Sequence, residues 1–150
     1  MFRTLLILLT AFTLAACGPA QLDTQQPLPT ASADWTSITF TQSGGIMGMM
    51  RTFIVARDGS FTAADKRANN NVNGKLSPED LTQLNKLIVS LSINKSGQSG
   101  VCADCFIYSI EIATTGKSIS AQADDVNLND SGIGPLVIFL ENRMSKALND

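Results

Sequence analysis

Cys102 and Cys105, in the run CADC at 102–105, are the residues of this chain whose spacing best suits chemistry. Two thiols so close together can close a disulfide, cycle as a redox pair, or supply part of a metal site. A metal site needs two further ligands, and the chain holds no histidine and only one other cysteine, Cys17. A redox pair is best served by a helix N-terminus, which lowers a thiol pKa, whereas CADC precedes an alternating β pattern. The run NNNVNGKLSPED at 69–80 is a second candidate. It mimics a calcium loop, with Asn69, Asn71 and Asn73 at positions one, three and five and Gly74 at six. Asn69 and Asp80 stand where an aspartate and a bidentate glutamate belong, so little charge faces a dication. The expectation is a solvated loop whose Ser77 caps the next helix. Without histidine, catalysis would fall to carboxylates, lysines or hydroxyls, and no nucleophile–base pair is legible at any spacing. A non-enzyme with no cofactor and no bound metal is expected.

The third cysteine belongs to a different chemistry. Arg3 precedes a mostly apolar stretch from Leu5 to Leu14, and the small residues of LAAC at 14–17 follow. A helix over 5–16 would reach roughly 18 Å against a hydrocarbon core of about 30 Å, so the segment reads as a secretory signal. LAAC resembles the bacterial lipobox, which implies cleavage after Ala16 and lipidation of Cys17; an ordinary signal cut nearby is the alternative. Two or three acyl chains hold a protein on a bilayer where one is marginal. The expected organisation is a signal peptide over 1–16, a lipidated cysteine and flexible tether over 17–34, and a folded domain over 35–150. The tether, GPAQLDTQQPLPTASAD after Cys17, has no helical or strand period and a coil dimension of roughly 23 Å. The protein is thus expected in the bacterial cell envelope, lipid-anchored on the extracytoplasmic side of a membrane. With Cys17 committed to lipid, Cys102 and Cys105 are an even set in an oxidising compartment. A disulfide is then the default and a redox pair its rival.

The elements that must position these residues begin at Trp35. Ile38 and Phe40 alternate with Ser37, Thr39 and Thr41, the pattern of a half-buried strand. Gly44 and Gly45 punctuate, and an apolar run from Met49 to Ala56 ends at the hairpin signal Asp58-Gly59, with a short third strand over 60–63. Residues 64–76 read as a polar loop. Ser77, Pro78, Glu79 and Asp80 then form a helix start, and Leu81, Leu84, Leu87, Ile88 and Leu91 supply its apolar face. Phe106, Tyr108, Ile110 and Ile112 alternate along a further strand, Thr115-Gly116 turns the chain, and Ile119, Ala121 and Ala123 return inward. A closing helix from about Ser131 to Leu148 buries Leu136, Val137, Leu140, Met144 and Leu148, with Pro135 near its start. The order β-β-(β)-α-β-β-α predicts an α+β fold, an antiparallel sheet of four to five strands with both helices on one face. A hydrophobic share of 44% fits one such domain, and a net charge of -2 without a basic stripe excludes a nucleic-acid surface.

These segments together carry a family likeness. ITFTQSGGIMG at 38–48, LSPEDLTQLNKLI at 76–88, FIYSIEI at 106–112 and PLVIFLENR at 135–143 resemble the emfourins, small proteinaceous inhibitors of protealysin and related thermolysin-like metallopeptidases. The likeness covers about residues 38–148 and is most specific at the paired glycines with Gly48 beyond them. It implies an extracytoplasmic thermolysin-like metallopeptidase as partner and Gly44, Gly45, Ile46, Met47 and Gly48 as the inhibitory loop. Such clefts favour a large apolar residue just past the scissile bond, a place Ile46 or Met47 could fill. Read without the likeness, the same glycines make a tight strand connection with Ile46 and Met47 folded back over the sheet. A non-catalytic binding or structural envelope lipoprotein is the alternative function.

Overall fold

Every inward-facing strand residue identified by alternation joins one side of a single antiparallel sheet. The computed structural model describes residues 34–94 and 102–150. The strands are β1 (Trp35–Gly44), β2 (Met49–Ala56), β3 (Ser60–Asp65), β4 (Asn70–Lys75), β5 (Phe106–Thr114) and β6 (Ile119–Asp124); the helices are α1 (Pro78–Val89) and α2 (Gly134–Asn149). Lateral order is β4-β3-β2-β1-β5-β6. The central strand β1 pairs with β2 on one side and β5 on the other, so Ile38 faces Val55 and Ile112, and Phe40 faces Phe53 and Ile110. These side chains are buried together with Leu84 and Ile88 of α1 and Leu136, Val137, Leu140 and Met144 of α2. Both helices therefore cover the same face. The other face carries half-buried Thr39, Thr41, Thr52, Thr62 and Ser109, as expected where an antiparallel sheet meets water. Among the described residues no helix is long and apolar enough to cross a membrane.

Polar ties fix the helices against the sheet. Trp35 donates its indole N–H to Asn85 Oδ1 at 2.9 Å, and Gln42 donates to Glu141 Oε1 at 2.8 Å. Asp80, in the first turn of α1, pairs with Arg143 of α2 at 2.8 Å. Helix α1 starts as its sequence predicts: Ser77 is extended, its hydroxyl accepts the Asp80 N–H at 3.1 Å, and Pro78 opens the first turn.

Three details correct the sequence-based expectation. The sheet has six strands rather than four or five, although the α+β class holds. The additional strand, β4, lies in the stretch read as a loop. There Asn69 adopts φ 50° after an Asx turn in which Asp65 accepts the Arg67 and Ala68 N–H groups, and Asn70–Lys75 returns along β3. The asparagines suit an edge strand because Asn71 and Asn73 project from the solvent face, where Thr62 donates to Asn73 at 2.7 Å. This extended pairing replaces the wrapped backbone of a calcium loop. Helix α2, in turn, begins at Gly134 rather than Ser131. Gly132 at φ 77° interrupts the chain beside the Ser92 carbonyl, and Ser131 is spent on the turn, its hydroxyl donating to Leu128 O and accepting from Ile133 N–H.

Candidate functional site

The β1–β2 connection is a four-residue turn with its apolar corners in water. Gly44 and Met49 close the last rung of the ladder, and the Gly48 N–H donates to Gly45 O at 2.9 Å, leaving Ile46 and Met47 at the two corners. Ile46 is 89% exposed and Met47 69%, so neither folds back over the sheet. Gly44, Gly45 and Gly48 all take positive φ. Met50, the second residue of β2, is also exposed. Large apolar side chains at the apex of a turn have no folding role, because they bury nothing against the core.

Two buttresses hold the turn. On the β5 side, Cys102 and Cys105 are joined as a disulfide with their Cα atoms 5.5 Å apart, and the Cys105 carbonyl accepts the Gly45 N–H at 3.1 Å. Phe106, immediately after, packs its ring against Gly45, while its N–H donates to Asp125 Oδ2 at 2.8 Å. The other carboxylate oxygen of Asp125 accepts the Tyr108 hydroxyl at 2.8 Å. Burial, and then Asp125, raise the Tyr108 pKa well above its ordinary value, which keeps the phenol a neutral donor. On the β3 side, Arg67 in the β3–β4 turn donates through Nη1 to the Met47 carbonyl. That turn is organised by Asp65, which accepts from Arg51 Nε at 2.8 Å and from the N–H groups of Arg67 and Ala68 at 3.0 and 3.1 Å.

The Arg51 guanidinium, and then the Ala68 N–H, hold the Asp65 pKa below the usual carboxylate range. A depressed folded-state pKa contributes stability above the unfolded value and loses it as pH falls through the folded one. Asp65→Asn keeps the shape and removes the charge. It is expected to cost about 2 kcal/mol at neutral pH, the scale of hydrogen bonds to a charged group. It should also flatten the acid limb of the stability curve. Urea unfolding at pH 7 and pH 3 checks this; an undiminished acid limb in the variant would place the sensitivity in other carboxylates.

Sequence reading identified the apolar corners and the cysteine pair, and placed Phe106 on a strand, but missed the supporting contacts Arg51–Asp65, Arg67–Met47 and Phe106–Asp125, each of which joins different strands or turns. The Asp65–Asn69 spacing, an Asx turn before an asparagine able to adopt positive φ, was the one local signal for the β3–β4 turn. Cys17, the expected lipidation site, lies outside the described residues, as does most of the 17–34 tether. Among the described residues no group of three or more His, Cys, Asp or Glu side chains could hold a metal. A cleft of about 290 Å³ between the start of α1 and the end of α2 is lined by Phe61, Lys75, Asp80, Arg143 and Lys146, remote in the chain from the turn. The chain matches no protein-family model, and a search of curated proteins finds no match. Fold and site together describe an α+β domain that presents one buttressed apolar turn.

Proposed function

We propose that this protein is a lipid-tethered extracytoplasmic inhibitor of thermolysin-like metallopeptidases, as its likeness to the emfourins implies. One observation carries the reading: Ile46 and Met47 stand exposed on a convex turn held from both sides. Blocking a cleft requires a stiff projection more than a catalytic group, because an already ordered segment loses little entropy on docking. The direction of β1 supports the same reading. At about 3.3 Å per residue its ten residues set the turn roughly 30 Å from Trp35, near which the described chain begins. A tether joined at Trp35 would thus meet the domain roughly 30 Å from the turn, which keeps the attachment clear of the docking end.

The test is a titration of the protein, extracted with its lipid in mild detergent, against several thermolysin-like peptidases cleaving a short peptide. Stoichiometric loss of hydrolysis is the expected result. No inhibition of any of them at concentrations far above the enzyme would overturn the proposal in favour of a binding or structural envelope lipoprotein. The anchor is tested separately, by growth on a labelled fatty acid. The parent is expected to take up label and Cys17→Ser to take up none, since no thioether can form without the thiol. Equal labelling of both would sink the lipid assignment.

A further inference from the structure

Charge is distributed unevenly across the end of the sheet that carries the apolar turn. Lateral order places the β3–β4 turn on one side of it and the disulfide ring with the end of β6 on the other. On the first side stand Lys66 and Arg67, both exposed; the Lys66 N–H donates to Met50 O at 3.0 Å, and Arg67 holds the Met47 carbonyl. Arg51, nearby, is already paired with Asp65. On the second side stand exposed Asp104, inside the ring, and exposed Asp125. The Lys66 N–H on the Met50 carbonyl and the Arg67 guanidinium on the Met47 carbonyl bind the basic side to the tip as one surface.

We propose that Lys66 and Arg67 form the electrostatic half of the docking surface, and that its occupant is a protein cleft with an apolar pocket beside a wall of carboxylates. This rests on the inhibitory reading of the turn and adds the charge that its partner must carry. Basic groups at the rim of an apolar anchor steer encounter and fix orientation, so they act on the association rate more than on residence time. A membrane surface is the rival class for an apolar tip with lysine and arginine beside it. Asp104 and Asp125 on the opposite side oppose it, since an anionic lipid plane would meet both flanks at once, whereas a cleft with one acidic wall meets only the first.

The experiment uses the full lipidated chain and the peptidase it inhibits most strongly, following the rate of inhibition from about 20 mM to about 500 mM salt, a range over which the Debye length shrinks about fivefold. The association rate is expected to fall with salt. Lys66→Glu is expected to slow it by about tenfold at low salt and by little at high salt. The Lys66 side chain holds no part of the turn, so its folding is expected to be unchanged; Arg67→Lys, which keeps the charge, should retain most of the salt dependence. Inhibition that is insensitive both to salt and to Lys66→Glu would overturn this proposal and leave the inhibitory reading standing. Absence of any inhibition by the parent would overturn both. Peroxide oxidation of Met47 gives the remaining readout: protection is expected from the peptidase, while protection by phosphatidylglycerol vesicles alone would assign the surface to lipid.

Discussion

Alanine at Gly44 is expected to destabilise the protein by at least about 3 kcal/mol and to lower its thermal midpoint by on the order of 10 °C. Two costs combine at this position. Gly44 has φ 98°, a conformation that L side chains adopt only under strain, and a Cβ built there would lie 2.5 Å from the Cys105 carbonyl oxygen. That oxygen is backbone held next to the disulfide ring and already accepts the Gly45 N–H, so it has little room to yield. Gly48 separates the two costs. Its φ is 59°, but a Cβ there meets nothing within 4 Å, so Gly48→Ala should cost only about 1 kcal/mol. Differential scanning calorimetry of the two variants decides the matter. Equal shifts would mean that the ring moves aside freely and is no buttress.

How far the sequence could reveal this arrangement depends on whether a signal was local. The start of helix α1 was legible to the residue because Ser77, Pro78 and the acids of its first turn each satisfy a helix end through neighbours, whereas its end at Val89, short of Leu91, was not. The inward faces of β1 and β5 were legible because both flanks of β1 are occupied, leaving alternation as the only pattern compatible with one buried side. Strand β4 was not, because Val72 is the only large apolar residue among its six and an edge strand needs little more than backbone pairing with β3. The Met47 carbonyl could not have been matched to Arg67, nor Phe106 N–H to Asp125, from any spacing in the chain. Such contacts exist only once the sheet order sets those segments side by side. The apolar corners of the turn were therefore visible in the sequence, while the framework that stiffens them was not.

Replacing Ile46 and Met47 together with alanine is expected to weaken inhibition at least about tenfold, and about a hundredfold where both side chains enter the cleft. The energetic basis is the burial of large apolar side chains on binding, worth about 1.5–3 kcal/mol each, with a central anchor contributing more than its rim. The same truncation should barely affect folding. At 89% and 69% exposure these side chains leave little contact for the folded state to lose, so the thermal midpoint should stay within a few degrees of the parent. This combination is diagnostic, since a core position would lose stability and function together. The backbone of the turn should survive as well, because Gly48 N–H, Gly45 N–H and the Met47 carbonyl keep their partners whatever side chains occupy the corners. Inhibition constants and calorimetric midpoints measured on one preparation make the comparison. Full inhibition by the folded double variant would move the contact away from the turn, and unfolding would show that the two side chains support the fold. Loss of inhibition with retained stability would identify Ile46 and Met47 as the anchor and the glycine-framed turn as the means of presenting it.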